Sequence, residues 1–278
     1  MKIRSSGRST DFISPSFGHG CLYNCTYCYM KRHKREGLTV ARNPGDILTA
    51  INSHALFRTD VEKPNQTHEK YITYDISCNE DFALHAKYHN WEYIFQFFKD
   101  HDTAMGSFAT KYVNENLLSF DPAGKIRIRF SLMPQMYADK LEPNTSPIVE
   151  RLKAINAFIE AGYDVHVNFS PVIYEKNWTS EYTDLFTKMN VIVKDEYKDR
   201  VKAEVIFLTH NAAKHEYNLK QGLSGEDLIW KPHEQEEKTS QYGGINLRYE
   251  WGLKHTLVRM FRNMHHEVIP WNTIRYIF

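Results

Sequence analysis

Gly20-Cys21-Leu22-Tyr23-Asn24-Cys25-Thr26-Tyr27-Cys28-Tyr29 holds three of the chain's four cysteines within eight residues. The spacing is Cys-x3-Cys-x2-Cys, which lets three thiolates on one short loop converge on a single soft centre. Iron-sulfur clusters take such thiolates, normally four to a cluster. Three would leave one iron of a 4Fe-4S cluster open to a small molecule. Two other readings of these cysteines stand beside it. A structural zinc ion asks for four closed ligands, with His19 and His33 the nearby candidates. A disulfide would leave an odd thiol, and nothing at the N-terminus suggests export. Cys21, Cys25 and Cys28 are the candidate metal ligands, and their spacing favours the cluster.

Outward from this loop the chain alternates strand and helix. Asp11-Phe12-Ile13-Ser14 is a short strand closed by Pro15, so the cysteines lie on the loop after it. A helix is expected from Pro44-Gly45-Asp46 to about Phe57, with Ile47, Leu48, Ile51 and Leu56 on its buried side. Then come the strand Tyr71 to Ser77, capped by Cys78, the helix Trp91 to Asp100, and the strand Gly106 to Thr110, ending at Lys111. A short helix over Val113 to Phe120 precedes the alternating strand Lys125 to Phe130, which ends at Ser131. Ser146-Pro147 opens a helix over Ile148 to Ala161, stopped by Gly162. The strand Asp164 to Phe169 ends at Ser170-Pro171. A helix around Glu181 to Met189 leads to the strand Val201 to Leu208, ending at Thr209-His210.

These are six strand-helix units of roughly 30 to 45 residues, the period of parallel βα repeats. In βα barrels the chemistry sits at the C-terminal ends of the strands. Those ends carry the cysteine loop, Cys78, Lys111, Ser131, Ser170 and His210. Each has a plainer role open to it, such as helix capping for the serines or a surface ion pair for Lys111.

Composition sets the remaining bounds. The chain has 278 residues, 42% hydrophobic and 25% charged, with a net charge of +1. It is no polycation binding nucleic acid through its bulk field, so any such binding needs local patches. One is Lys31-Arg32-His33-Lys34-Arg35, directly behind the cysteines, either a solvated loop or a phosphate contact. No apolar run is long enough to span a membrane, and Met1-Lys2-Ile3-Arg4-Ser5 begins nothing like a signal peptide. Reduced thiols and an oxygen-sensitive cluster lead us to expect the cytoplasm.

The cysteine motif, with the aromatic Tyr29 after its last cysteine, resembles the radical S-adenosylmethionine superfamily, whose open cluster iron binds that cofactor. The resemblance implies an α/β fold, an open partial (β/α)6 barrel. The further matches narrow it to the spore photoproduct lyase family: Ile76-Ser77-Cys78, Ala109-Thr110-Lys111-Tyr112, Ile128-Arg129-Phe130-Ser131, Gly162-Tyr163, and Phe169 to Tyr174. With the cysteine loop they run along most of residues 12 to 210 in the family's order. The resemblance implies a lyase in which a 5'-deoxyadenosyl radical attacks a methylene-bridged thymine dimer in DNA. Cys78 would donate the hydrogen atom that completes repair, Tyr27 and Tyr29 would relay the radical back, and Lys111, Ser131 and Ser170 would contact S-adenosylmethionine. An electron donor such as a flavodoxin or ferredoxin would feed the cluster.

Residues 1–213 would then be the barrel core and 214–278 a C-terminal extension. The sequence starts twenty residues before Cys21, where the family usually carries a longer N-terminal segment, and the extension matches weakly. Its candidate substrate-contacting hairpin is Gln241 to Trp251, where Gly243-Gly244 allow a turn; an edge hairpin closing the barrel bottom is the other reading. The acidic run Glu234-Gln235-Glu236-Glu237 would repel phosphates unless it faces away. Alternatives are the same chemistry on another nucleotide or a peptide, and a zinc-stabilised nucleic-acid-binding module without catalysis.

Overall fold

The alternation Lys125-Ile126-Arg127-Ile128-Arg129-Phe130 predicts a strand with one polar face, yet every residue of that strand is buried. This holds in the computed structural model, which describes residues 2–28, 30, 37–57, 63–239 and 244–278. Parallel strands in α/β proteins are covered on both sides, so the arginines bring counter-charges inside. Arg127 Nε donates to Asp164 at 2.7 Å and its Nη1 to the Thr67 carbonyl at 3.0 Å, while Arg129 Nη2 reaches Asp75 at 2.9 Å.

The strands are β1 (Arg4–Ser5), β2 (Phe12–Ile13), β3 (Gly18–His19), β4 (Thr39–Val40), β5 (Ile72–Asp75), β6 (Ala104–Thr110), β7 (Ile126–Leu132), β8 (Asp164–Val172), β9 (Lys202–Phe207), β10 (Thr209–His210), β11 (Gln235–Thr239), β12 (Ile245–Tyr249) and β13 (Thr273–Ile277). The helices are α1 (Pro44–Leu56), α2 (Phe82–His85), α3 (Trp91–Asp100), α4 (Gln135–Leu141), α5 (Ile148–Glu160), α6 (Trp178–Ile192), α7 (Ala212–Lys220), α8 (Glu226–Ile229) and α9 (Trp251–Val268). One sheet runs in the order β1-β2-β5-β6-β7-β8-β9-β13. Its β2/β5, β5/β6, β6/β7, β8/β9 and β9/β13 pairs are parallel, and β1/β2 is antiparallel. The six expected strands are β2 and β5 to β9, flanked by β1 and β13.

Two expectations change. The helix over Val113 to Phe120 is only a 3-10 turn, Glu115–Ser119. The hairpin pairs β11 with β12, Gln235 opposite Tyr249 through Thr239 opposite Ile245. Its first strand is therefore the acidic run itself, and Trp251 begins α9; residues 240–243, with Gln241 to Gly243, lie outside the described residues.

Two compact units emerge. The first comprises the described residues within 1–22, 34–130 and 154–166. Helix α3 places Ile94, Phe95 and Phe98 on its buried face, the i, i+1, i+4 pattern of a helix lying on a sheet. Phe95 meets Phe82 at 5.7 Å and Phe108 at 6.1 Å between ring centroids. In the second unit, residues within 23–33, 131–153 and 167–278, α9 packs on α6. Phe261 contacts Tyr182 and Phe186 at 5.6 and 5.4 Å. Among the described residues no helix is long and apolar enough to cross a membrane.

Gly162 ends α5 with φ +92°, and the Tyr163 N–H returns to the Phe158 carbonyl at 3.0 Å, the closing bond of a Schellman cap. A Cβ at this position would stand 2.1 Å from Asp121 Oδ1. Gly162→Ala therefore combines a left-handed backbone with a clash. It is expected to cost about 1–3 kcal/mol, read as a drop of several degrees in the thermal unfolding midpoint; an unchanged midpoint would contradict it.

Candidate active site

Some of the candidate residues lie in the first unit, where the cysteine loop begins. Gly20 has φ +99°, and a Cβ there would lie 2.5 Å from the Gly37 carbonyl oxygen, so only glycine fits. Its N–H donates to the Asn79 carbonyl at 3.0 Å. Two residues on, the Leu22 N–H donates to His85 Nε2 at 3.3 Å. Cys21 is thus fixed from both sides, beside the turn that bears Cys78.

Because His85 Nε2 is an acceptor, its proton sits on Nδ1 and goes to Glu80 Oε2 at 3.1 Å, while His89 Nε2 reaches the same oxygen at 2.8 Å. Burial by itself would raise the Glu80 carboxyl. The hydrogen bonds from His85 and His89 outweigh it and hold the group below its ordinary range.

Cys78 follows β5 as a half-buried thiol whose pKa is pushed up to about 11. Burial is the main cause and the Asp75 carboxylate adds to it, partly offset by a hydrogen bond with Ser16. At neutral pH its S–H bond is intact. Lys111 is set beside this turn by Asp81, which caps α2 through the Leu84 N–H and accepts from Thr110 Oγ1 at 2.7 Å and from the Lys111 N–H at 2.9 Å.

Other candidate residues belong to the second unit. Cys25 is buried and Cys28 half-buried, and the Cys28 N–H donates to the Cys25 carbonyl at 3.1 Å, closing a tight turn. The Thr26 N–H donates to the Leu141 carbonyl at 2.9 Å and its hydroxyl to the Ser224 carbonyl at 2.9 Å. Asn218 Nδ2 donates to the Thr26 carbonyl at 2.9 Å, and Lys214 Nζ to that of Tyr27 at 3.1 Å.

The Tyr27 hydroxyl donates to Glu142 Oε1. Burial first, then the Glu142 carboxylate, lifts the phenol well above its ordinary range. Glu142 in turn meets Arg151 at 2.9 Å, and Arg151 Nη1 donates to the Ser131 carbonyl at 2.8 Å. Tyr27 and Ser131 are therefore joined through two buried charges. Ser170 sits on β8 at a cis peptide to Pro171, outside this network. His210, just after β9, pairs with Glu226. Tyr29 and the run Lys31 to Arg35 lie outside the described residues.

Glu80, Asp81, Glu142 and Arg151 escaped the sequence reading. Asp81 carried a signal, an aspartate just before Phe82-Ala83-Leu84, where a helix N-cap is favoured. The others take their meaning from partners distant in the chain.

The donor set suits a cluster. None of the four cysteines is in a disulfide, and the loop's peptide groups are bonded to neighbouring segments. Cys21 falls in the first unit and Cys25 and Cys28 in the second, so their grouping rests on the motif. Three thiolates match a cluster with one open iron; a structural zinc would want a fourth ligand, and His19 is exposed.

A parallel α/β sheet of this order, with that loop after its first strand of the parallel series, defines the radical S-adenosylmethionine partial barrel. The chain matches a solved spore photoproduct lyase variant with bound S-adenosylmethionine and dinucleoside spore photoproduct at a TM-score of 0.88, with 20% identity, over 100% of this chain and 79% of that one. A second, spore photoproduct lyase complexed with dinucleoside spore photoproduct, matches at 0.88 with 21% identity and the same coverage. The family profile "Spore photoproduct lyase" matches residues 1–278, and the chain belongs to that family. Spore photoproduct lyase of Bacillus subtilis (strain 168) is 25% identical over 208 residues, 74% of this chain. The match spans 58% of that relative's length.

Two outcomes test this geometry. Arg151→Met leaves the Glu142 charge buried and uncompensated, which costs about 3–5 kcal/mol and should appear as a large loss of thermal stability. Cys78 should resist alkylation by iodoacetamide at pH 7 to 8 and react only as the pH approaches its raised pKa. Rapid modification of Cys78 at pH 8, mapped by mass spectrometry, would contradict the protonated thiol.

Proposed function

We propose that this chain is a radical S-adenosylmethionine lyase that repairs a methylene-bridged thymine dimer in DNA, with Cys78 as the hydrogen-atom donor. The observation that carries the reading is the Cys78 thiol, kept protonated by its surroundings and carried on the turn that anchors Gly20, next to Cys21. The chemistry supplied when Cys21, Cys25 and Cys28 bind a 4Fe-4S cluster, with S-adenosylmethionine on its open iron, is a 5'-deoxyadenosyl radical able to take hydrogen from C6 of the lesion. Lys111, Ser131 and Ser170 orient the cofactor.

After the methylene bridge fragments, the thymine radical lacks one hydrogen atom. Cys78 gives it by homolysis of S–H and is left as a thiyl radical. The thiyl recovers a hydrogen atom through the tyrosine pair Tyr27 and Tyr29. The tyrosyl radical left behind would take its hydrogen atom from 5'-deoxyadenosine, which spares the cofactor, and Glu142, the acceptor of the Tyr27 hydroxyl, holds that O–H in place.

Family membership and the relatives solved with dinucleoside spore photoproduct support a DNA lesion as substrate. The extension from residue 214 supplies substrate contacts through the β11/β12 hairpin. There Arg248 meets Glu236 at 2.6 Å and softens the acidic run. A flavodoxin or ferredoxin reduces the cluster, and the oxygen-sensitive chemistry belongs in the cytoplasm.

The test is anaerobic: reconstituted, reduced protein is incubated with S-adenosylmethionine and dinucleotide spore photoproduct while repaired dinucleotide and 5'-deoxyadenosine are followed. The wild-type chain should form repaired product with little net 5'-deoxyadenosine. Cys78→Ala should divert the thymine radical to other products and accumulate 5'-deoxyadenosine. Unchanged partitioning in Cys78→Ala would remove Cys78 as donor, and 5'-deoxyadenosine without repair in the wild type would move the substrate elsewhere.

A further inference from the structure

A second cluster of ligand-type side chains stands apart from the cysteines. His210, at the end of β10, places Nε2 2.8 Å from Glu226 Oε1. His215, on the first turns of α7, places Nδ1 2.6 Å from the same oxygen. One potential ligand atom from each residue lies within 4.8 Å of the others. We propose that His210, His215 and Glu226 form a binding site for a divalent transition metal of the zinc class.

Several features make this a built site rather than a chance contact. His210 is fully buried and Glu226 nearly so, while His215 keeps about a fifth of its side chain in solvent, which gives an ion a way in. The other carboxylate oxygen, Oε2, is held by Asn218 Nδ2 at 2.6 Å, which leaves Oε1 turned toward the histidines. The His215 ring is stacked on Trp230 at 4.0 Å and 7°. Such partners fix the orientation of ligand side chains in metal sites.

Two buried polar atoms of the cluster, His210 Nδ1 and Asn218 Oδ1, have no hydrogen-bond partner among the described residues. Unsatisfied buried groups point to a water or an ion. Neutral imidazoles and one carboxylate suit Zn²⁺ or Fe²⁺, with bonds of about 2.0–2.2 Å and one position left for water. The nearby ammonium of Lys214 is committed to the Tyr27 carbonyl at 3.1 Å.

The site has a structural consequence. Asn218 donates both to Glu226 and to the Thr26 carbonyl. An ion that locks Glu226 would also fasten α7 and α8 onto the cysteine loop. The inference is independent of the substrate assigned above.

The experiment uses the full chain with its cluster loaded, so that the thiolates are occupied, equilibrated with Zn²⁺ and desalted. The expected result is about one zinc per chain, with a zinc K-edge absorption spectrum fitted by nitrogen and oxygen at about 2.0 Å, with imidazole scattering and no sulfur. His215→Ala should lose the zinc. His215→Gln keeps a hydrogen-bond donor toward Glu226, should fold even if the alanine variant does not, and should lose the zinc as well. Zinc should raise the thermal midpoint of the wild type and not of His215→Gln. No zinc above background, a sulfur shell near 2.3 Å, or equal zinc in wild type and His215→Gln would overturn the proposal. None of these results bears on lesion repair.

Discussion

The cysteine loop is held in large part through its backbone. Buried peptide groups need partners, and here neighbouring segments supply them in both units. Gly20 and Leu22 are held by Asn79 and His85; Thr26 and Tyr27 by Leu141, Asn218 and Lys214. A loop that satisfied its peptide groups with its own side chains would have had fewer left for a ligand.

Behind these contacts stand three buried carboxylates. Glu80 fixes the tautomer of His85, which then accepts from Leu22. Glu142 receives the Tyr27 hydroxyl and is balanced by Arg151. Glu226 orients Asn218, which holds the Thr26 carbonyl. An ionised carboxylate is costly to bury alone, and its cost is offset only when partners surround it. Each therefore comes with histidine, arginine or amide donors. The arrangement adds little net stability, since buried ion pairs roughly break even against apolar packing; what it contributes is a fixed geometry.

Much of the fold was legible because it follows local rules. The apolar spacing of Trp91 to Asp100 gave α3 to the residue, and Gly162 marked the end of α5. Alternation found β7 but not its environment, because Arg127 and Arg129 can be buried only with Asp164 and Asp75 as counter-charges distant in the chain. The hairpin was misplaced because two glycines signal a turn without saying which upstream segment returns to pair. In the candidate site, the cysteines and Cys78 stand out by spacing and family resemblance. Glu142 and Arg151 do not, since nothing local to Lys140-Leu141-Glu142 foretells a tyrosine more than a hundred residues away.

The roles proposed for Cys78 and for the loop cysteines are opposite tasks for one residue type. A metal-ligating cysteine must lose its proton, and a hydrogen-atom donor must keep it. Cys78 lies in partial burial with a carboxylate, Asp75, nearby, both of which disfavour a thiolate. Asp75 is itself required by the fold as the counter-charge of Arg129 within the sheet. The carboxylate that lets a polar strand lie in the interior thus also helps keep the thiol protonated, which couples the packing of β7 to the protonation of Cys78 after β5.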